Sequence, residues 1–375
     1  MAPNTRTLTT TTVVEKQSVV EKEKTLPTLE ELRKVIPEKC WEKNTAKSLF
    51  FLVWDLACLA GMYVIVPYVE QYFGFVGLVV WYWIFGMFGF SLFVVGHDCG
   101  HGTFSNYTWL NDICGHIAHA PIMAPYWPWQ KSHRQHHTYT SHLEKDRGHV
   151  WITENHFEGL DVISQNYVKF PPTGLLLWHM YTFLGIPDGS HFWPGSRLFT
   201  NTTERIQCAV SALAVAASCF AALYFVDYSV YAWLKYYYLP CCFAGYWLVI
   251  VTYLQHRDEE MEIYEEGTWN YVKGQVQTID RWYGFGIDYL MHHITDCHVV
   301  HHLFFTKIPH YHLKEATKAI KPVLEKYEGA YKYHINYQFL WEYNKLQVVL
   351  EYLVNSGQGI WRYAASKQVP KAKTN

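Results

Sequence analysis

The chain has 375 residues, 50% of them hydrophobic and 18% aromatic, with 16 Trp and 29 Tyr. A formal charge of −2 offers no basic surface for a nucleic-acid partner. With a mean hydropathy of only −0.09, the apolar residues must be gathered into blocks, and aromatic enrichment of this kind suits membrane interfaces.

The first 47 residues are polar and end in charge, so no secretory signal peptide is expected. The Thr-rich start predicts a disordered tail over residues 1–27. Thr28-Leu29-Glu30-Glu31 then has the pattern of a capping box, opening a short helix that Pro37 ends. Four uncharged or nearly uncharged blocks follow, at 48–69, 72–96, 208–226 and 236–254. Each is close to the ~20 residues that span a bilayer. Buried helices of a soluble protein are the alternative, but two pairs of blocks, each joined by a short link, favour membrane spans. The first block carries one acid, Asp55, where a charge is costly unless it faces protein or water. It is expected to be a structural hydrogen-bond partner near the cytosolic interface. The shorter stretch 175–186 reads as interfacial or re-entrant, and 112–125, with His116 and His119, is too polar to span alone.

Lys and Arg set the orientation. Arg33, Lys34, Lys39, Lys43 and Lys47 precede the first block, and the link to the second has none. Lys131, Arg134, Lys145, Arg147, Lys169, Arg197 and Arg205 follow the second block, whereas only Lys235 separates the third from the fourth. Both termini and the long middle segment are therefore expected in the cytosol. Lys371 and Lys373, near the C-terminus, resemble a dilysine signal for the endoplasmic reticulum. The nine Cys contain no C-x-x-C pair, which argues against a zinc ribbon and gives no disulfide framework.

Three histidine boxes carry the chemistry: HDCGH (His97, His101), HRQHH (His133, His136, His137) and HVVHH (His298, His301, His302). Residues i, i+3 and i+4 share a helix face, so each box is expected to aim all its imidazoles one way. Scattered surface histidines, the alternative in a chain with 21 His, do not repeat matching spacings beside apolar blocks. Neutral imidazole ligates zinc, copper and iron. Eight donors exceed the four of a tetrahedral zinc. They suit two metal ions with open positions, iron where oxygen chemistry is done.

Boxes placed against the cytosolic ends of spans resemble the integral-membrane fatty acid desaturase and hydroxylase family, over nearly the whole chain after about residue 27. The fold this implies is all-α: four transmembrane helices and a cytosolic helical cap that holds a His-rich di-iron site. The implied domain covers residues 28–354, between the 1–27 tail and a 355–375 tail. Box three begins with His298, not Gln, no HPGG motif occurs, and box one is HxxxH. GHDCGHG, WPWQKSHRQHH and HVVHHLFFTKIPHYH look like the methyl-end (Δ12 and ω-3) desaturases. DGSHFWPGSRLF (188–199) and QTIDR (277–281) look like their nematode members. The resemblance adds a ninth ligand, His256 of the YLQH segment. It suggests that His119 and His292 act as hydrogen-bond donors or acceptors behind the ligands, and no ligation by His310 or His312. Asp98, Asp146, Asp258, Glu259 and Asp296 lie near the boxes as candidate partners for ligand rings.

The implied activity is insertion of a cis double bond, at Δ12 of oleoyl chains to give linoleoyl. It would use two Fe ions, O2, and electrons from cytochrome b5 and its NADH reductase. The substrate is a fatty acyl chain on phospholipid or CoA, and the implied location is the endoplasmic reticulum membrane. HDCGHG, HIAHAPI and SHRQHH lean toward Δ12 members, while GHVWI and MHHIT lean toward ω-3 members. An ω-3 or bifunctional enzyme is therefore the alternative. A hydroxylase, or a non-catalytic receptor or adaptor on the same scaffold, is a further one; the latter should have lost box histidines, and none is missing.

Overall fold

The computed structural model describes residues 26–185 and 187–366. The tail read over 1–27 thus lies outside the described residues as far as residue 25, and so does the Lys371/Lys373 pair. The capping box is present: Thr28 Oγ1 accepts from the Glu31 N–H (3.2 Å) and the Glu31 carboxylate from the Thr28 N–H (2.7 Å). It opens helix α1 (Leu29–Val35), which stops before Pro37.

Helix α2 runs from Thr45 to His101 but is broken at Gly74, whose φ of 56° and ψ of −142° only glycine adopts without strain. Its halves fold back on each other. Tyr63 meets Phe85 with ring centroids 5.2 Å apart, and the Trp81 indole donates to the Met62 carbonyl (2.8 Å). In a straight helix residues 63 and 85 would be about 33 Å apart, at about 1.5 Å per residue. α2 is therefore a hairpin, and its halves are the first two apolar blocks. Near the hairpin's tip Glu70 pairs with Lys235 and Tyr236, which ties it to the start of the last long helix. At the other end Gly102, left-handed at φ 74°, ends the helix directly after box one.

α3 (Thr108–His119) and α4 (Tyr126–Thr138) follow, then the short α5 (Glu154–Glu158) and α6 (Val162–Val168), and α7 (Gly174–Leu184). α8 (Thr202–Phe225) leads to α9 (Val230–Trp233), a π-helical turn, and α10 (Leu239–His256). α2, α8 and the continuous Val230–His256 unit are long and apolar enough to cross a membrane. Leu213, Phe220 and Phe225 on α8, and Val53, Val64 and Phe75 on α2, are exposed. An apolar surface of this extent needs a lipid or protein cover. The second half of α2 is instead buried from Gly89 onward and packs on α10. A Cβ at Gly86 would lie 2.6 Å from the Phe243 backbone, so the two helices cross almost backbone to backbone. The Trp247 indole donates to the Trp83 carbonyl (2.9 Å) and locks the crossing.

The remainder is a cap of short elements: α11 (Tyr271–Gln275), α12 (Ile287–Leu290), α13 (His298–Leu303), α14 (His310–Leu324) and α15 (Phe339–Val349). The all-α expectation needs a correction here, because the cap holds two small sheets. β1 (Glu262–Tyr264), β5 (Ile360–Tyr363) and β4 (Leu353–Asn355) are antiparallel with β5 central, and β2 (Asp280–Trp282) pairs in parallel with β3 (Tyr333–Ile335). A boundary at residue 354 falls inside the first sheet. That sheet also grips the chain after box two: Leu143 donates to the Tyr264 carbonyl, Tyr264 to the Ser141 carbonyl, and Leu353 to the Ile152 carbonyl. Strands of three or four residues are too short for alternation to show in sequence.

Candidate metal centre

Box one occupies the last turn of α2, box two the last turns of α4, and box three is α13; His256 ends α10. The nine imidazoles fall into two adjoining groups. One nitrogen from each of His97, His101, His133, His137 and His301 lies within 4.8 Å of the others. His97 and His101 Nε2 are 3.0 Å apart, as are His133 and His137 Nε2, and His301 Nε2 is 3.2 Å from His137 Nε2. His136, His256 and His302 form the second group. His298 joins it, with Nε2 2.9 Å from His256 Nε2.

The single direction expected for each box therefore holds for box one alone. Boxes two and three each divide, His136 from His133 and His137, and His302 from His301. Neighbouring residues on a helix point about 100° apart, so an adjacent His pair reaches two centres at once. His137 lies at the divide, with its ring stacked on His302 at 4.0 Å.

Two rings are fixed in orientation from behind. His136 Nδ1–H donates to Asp146 Oδ1 (2.7 Å), which leaves Nε2 with its lone pair, buried and without a protein partner. His302 Nδ1 meets Gln275 Oε1 (3.0 Å) and Thr140 Oγ1 (3.1 Å), and its Nε2 is likewise buried and unpartnered. Gln275 is itself held by donating to the His137 carbonyl (2.7 Å). A carboxylate or amide behind a ligand histidine fixes its tautomer and raises its basicity. Burial, then the neighbouring rings, hold His133, His137, His298, His301 and His302 well below the usual imidazole pKa. They are neutral at physiological pH, the form that binds metal. Convergent neutral imidazoles, with the Nε2 atoms of His136 and His302 buried and unpartnered, fit metal ions, and an all-imidazole donor set suits zinc, copper or iron.

Of the acids near the boxes, Asp146 supports a box histidine directly. It also accepts from the Ser141 and Gly148 N–H groups (2.9 and 3.1 Å). Asp98 is 3.7 Å from His97 Nδ1 and accepts from both the backbone and the Nδ1–H of His310 (2.9 Å each). The remaining three are engaged elsewhere: Asp296 with His293, Asp258 with Arg281 and His334, Glu259 with Lys345. Asp55 is buried against His292 Nε2 (2.7 Å) and Ser91 Oγ (3.2 Å), a structural partner as expected. His119 donates to the Phe93 carbonyl (3.2 Å) and, like His292, lies in neither group. Cys40, His312 and Glu315 form a third cluster of donors, but Glu315 is paired with Lys39. Asp280 supports box three in a way the motifs did not suggest. It accepts from the Val299 N–H at the start of α13 and from the Tyr331 hydroxyl (2.8 Å each), and burial pushes its pKa up to about 7.

A cavity of about 460 Å³ adjoins both groups, within the size range of small-molecule sites. Phe90, Phe93, Leu177, Trp178, Met180 and Val249 form apolar wall, while His97, His133, His136, His256 and His298 reach its lining from the centre. The two donor groups thus face a greasy channel between α2, α7 and α10.

A family model described as fatty acid desaturase matches residues 73–334. The Delta(12) fatty acid desaturase fat-2 of Caenorhabditis elegans is 52% identical over 352 residues, 93% of this chain and 94% of the relative. The Omega-3 fatty acid desaturase fat-1 of the same organism is 47% identical, over 93% of this chain and 87% of the relative. The sn-1 acyl-lipid omega-3 desaturase (ferredoxin) of Nostoc is 36% identical, over 80% and 82%.

Proposed function

The chain belongs to the fatty acid desaturase family and is a multi-pass membrane oxidoreductase, and from that premise we propose that it inserts a cis double bond at Δ12 of oleoyl chains. The observation that carries the reading is the apolar cavity walled by both imidazole groups. In this reading His97, His101, His133, His137 and His301 hold one iron, and His136, His256, His298 and His302 a second. What the irons supply when bound is oxidation: an unactivated methylene has no acidic proton, so side-chain acids and bases alone do not suffice, and O2 takes up two substrate hydrogens with two electrons and two protons to give two waters. The chain's own residues do the rest. Asp146, Gln275 and Thr140 hold the rings. Phe93, Trp178 and Val249 exclude water and confine the acyl chain so that two chosen carbons face the centre. Electrons come from cytochrome b5 and its NADH reductase, as the family resemblance implies.

The catalytic unit is residues 28–354 together with β5, which the sheet ties to it. Four spans (the two halves of α2, α8, and α9 with α10) place the boxes and both termini in the cytosol, in the endoplasmic reticulum membrane. The Gly74 hairpin and the Lys/Arg asymmetry support this topology. Glycosylation tags inserted near Glu70 and Asp227 are expected to be modified in microsomes and a tag near Glu154 to stay bare; the reverse pattern would put the centre on the luminal side.

The 52% identity to the Delta(12) relative favours Δ12 chemistry, and the 47% identity to the Omega-3 relative keeps an ω-3 or bifunctional enzyme as the second reading. The test is a yeast without polyunsaturates, fed oleate or linoleate, with products located by mass spectrometry. Linoleate from oleate, with little α-linolenate from linoleate, is the expected result. Untouched oleate with α-linolenate made from linoleate would establish the ω-3 reading, and substantial conversion of both a bifunctional one.

A further inference from the structure

His149 belongs to no histidine box, yet it is buried, with 9% of its surface accessible. Its ring centroid lies 4.6 Å from that of His256 and 5.2 Å from that of His136. Those are the spacings found inside the second group: His136 to His256 is 4.6 Å, His256 to His302 4.7 Å, and His136 to His302 5.2 Å. His149 Nε2 is buried without a hydrogen-bond partner, a state that buried polar atoms rarely keep unless something else fills it.

The backbone is built to hold the ring there. Asp146, which orients His136, also accepts from the Gly148 N–H (3.1 Å). Arg257, adjacent to His256, donates to the Val150 carbonyl (3.2 Å). The sheet fixes both flanks, at Leu143 through β1 and at Ile152 through β4. The segment bearing His149 is thus clamped to the residues on either side of the second group. Counting donors gives the same indication: the first group has five imidazoles, and the second has four without His149.

We propose that His149 is a fifth imidazole donor to the metal ion of the second group, closing it on the side that faces the acyl cavity. The proposal rests on the two-iron reading above. It makes the site one of ten histidines.

The experiment uses the full-length protein, purified in detergent and loaded with ⁵⁷Fe, and reads iron content and Mössbauer spectra beside activity. His149→Ala is expected to drop bound iron from two toward one per chain, or to shift one quadrupole doublet while the other stays fixed. Because His149 lines the cavity, added imidazole should restore the wild-type doublet in that variant. His149→Gln, close in volume, gives the same readout should the Ala variant misfold. Two irons and two unchanged doublets in either folded variant would overturn the proposal and leave His149 as cavity wall. His136→Ala is the control. If it loses iron while His149→Ala does not, this proposal alone fails; if the wild-type protein takes up no iron, the two-iron reading falls and this proposal with it.

Discussion

Replacing His301 or His136 by Ala is expected to abolish product formation while leaving the protein in the membrane. Each residue contributes one nitrogen to a different group, so each variant opens one centre and spares the other's donors. Loss of a partner behind a ligand typically costs about 10–100-fold in metal affinity or activity, and loss of the ligand itself should exceed that. Insertion should survive because both rings lie outside the spanning helices, His301 on α13 and His136 near the end of α4. The apolar blocks and the α2–α10 crossing are untouched. The measurements are linoleate by mass spectrometry, iron per chain, and the membrane-bound fraction. A His301→Ala enzyme with two irons and normal turnover would remove His301 from the ligand set. A variant that leaves the membrane would show that the ring's role is in folding.

What the sequence made legible was whatever repeats over short distances. The boxes, the four apolar blocks and the Thr28–Glu31 cap are patterns within a few turns of one element, where helical periodicity dictates the outcome. The division of boxes two and three was implicit in the adjacency of His136 and His137, because neighbours on a helix diverge by about 100°; the shared-face rule concealed it. The supports behind the rings are another matter. Gln275 reaches His302 from 27 residues away, His310 reaches Asp98 across 212, and Asp55 reaches His292 across 237. Nothing local marks such pairs, since they exist only once α2, α10 and the cap have packed. The hairpin break is an intermediate case. The sequence pattern puts the link at residues 70–71, but the backbone turns at Gly74, where a glycine permits the conformation. His149 stands in GHVWI, a stretch that bears on regiochemistry and gives no hint of a ligand: a single His outside any box reads as a loop residue until the sheet pins that loop against the centre.

Gly148→Ala is expected to cost about 100-fold in turnover with every box histidine still present. A Cβ at this position would lie 2.6 Å from His136 Cγ, 2.7 Å from its Nδ1 and 2.8 Å from its Cβ. Contacts that short are not tolerated, so either the ring or the loop must move. The ring is held by Asp146 at 2.7 Å and crowded by His256, while the loop is held by Asp146, Arg257 and the sheet. Something on the order of 1 Å has to give at an imidazole of the second group, and misplacement of that size costs about a hundredfold in rate. Backbone strain is not the cause, because Gly148 is absent from the residues with positive φ; the effect is steric. Gly159→Ala is the matched control, since its Cβ would meet only carbonyl oxygens at 3.4 and 3.5 Å, and it should be close to neutral. The pair is compared by linoleate formed per enzyme and by iron content. Equal turnover in the two variants would mean that His136 tolerates displacement, and that the second group does not depend on the packing of this loop.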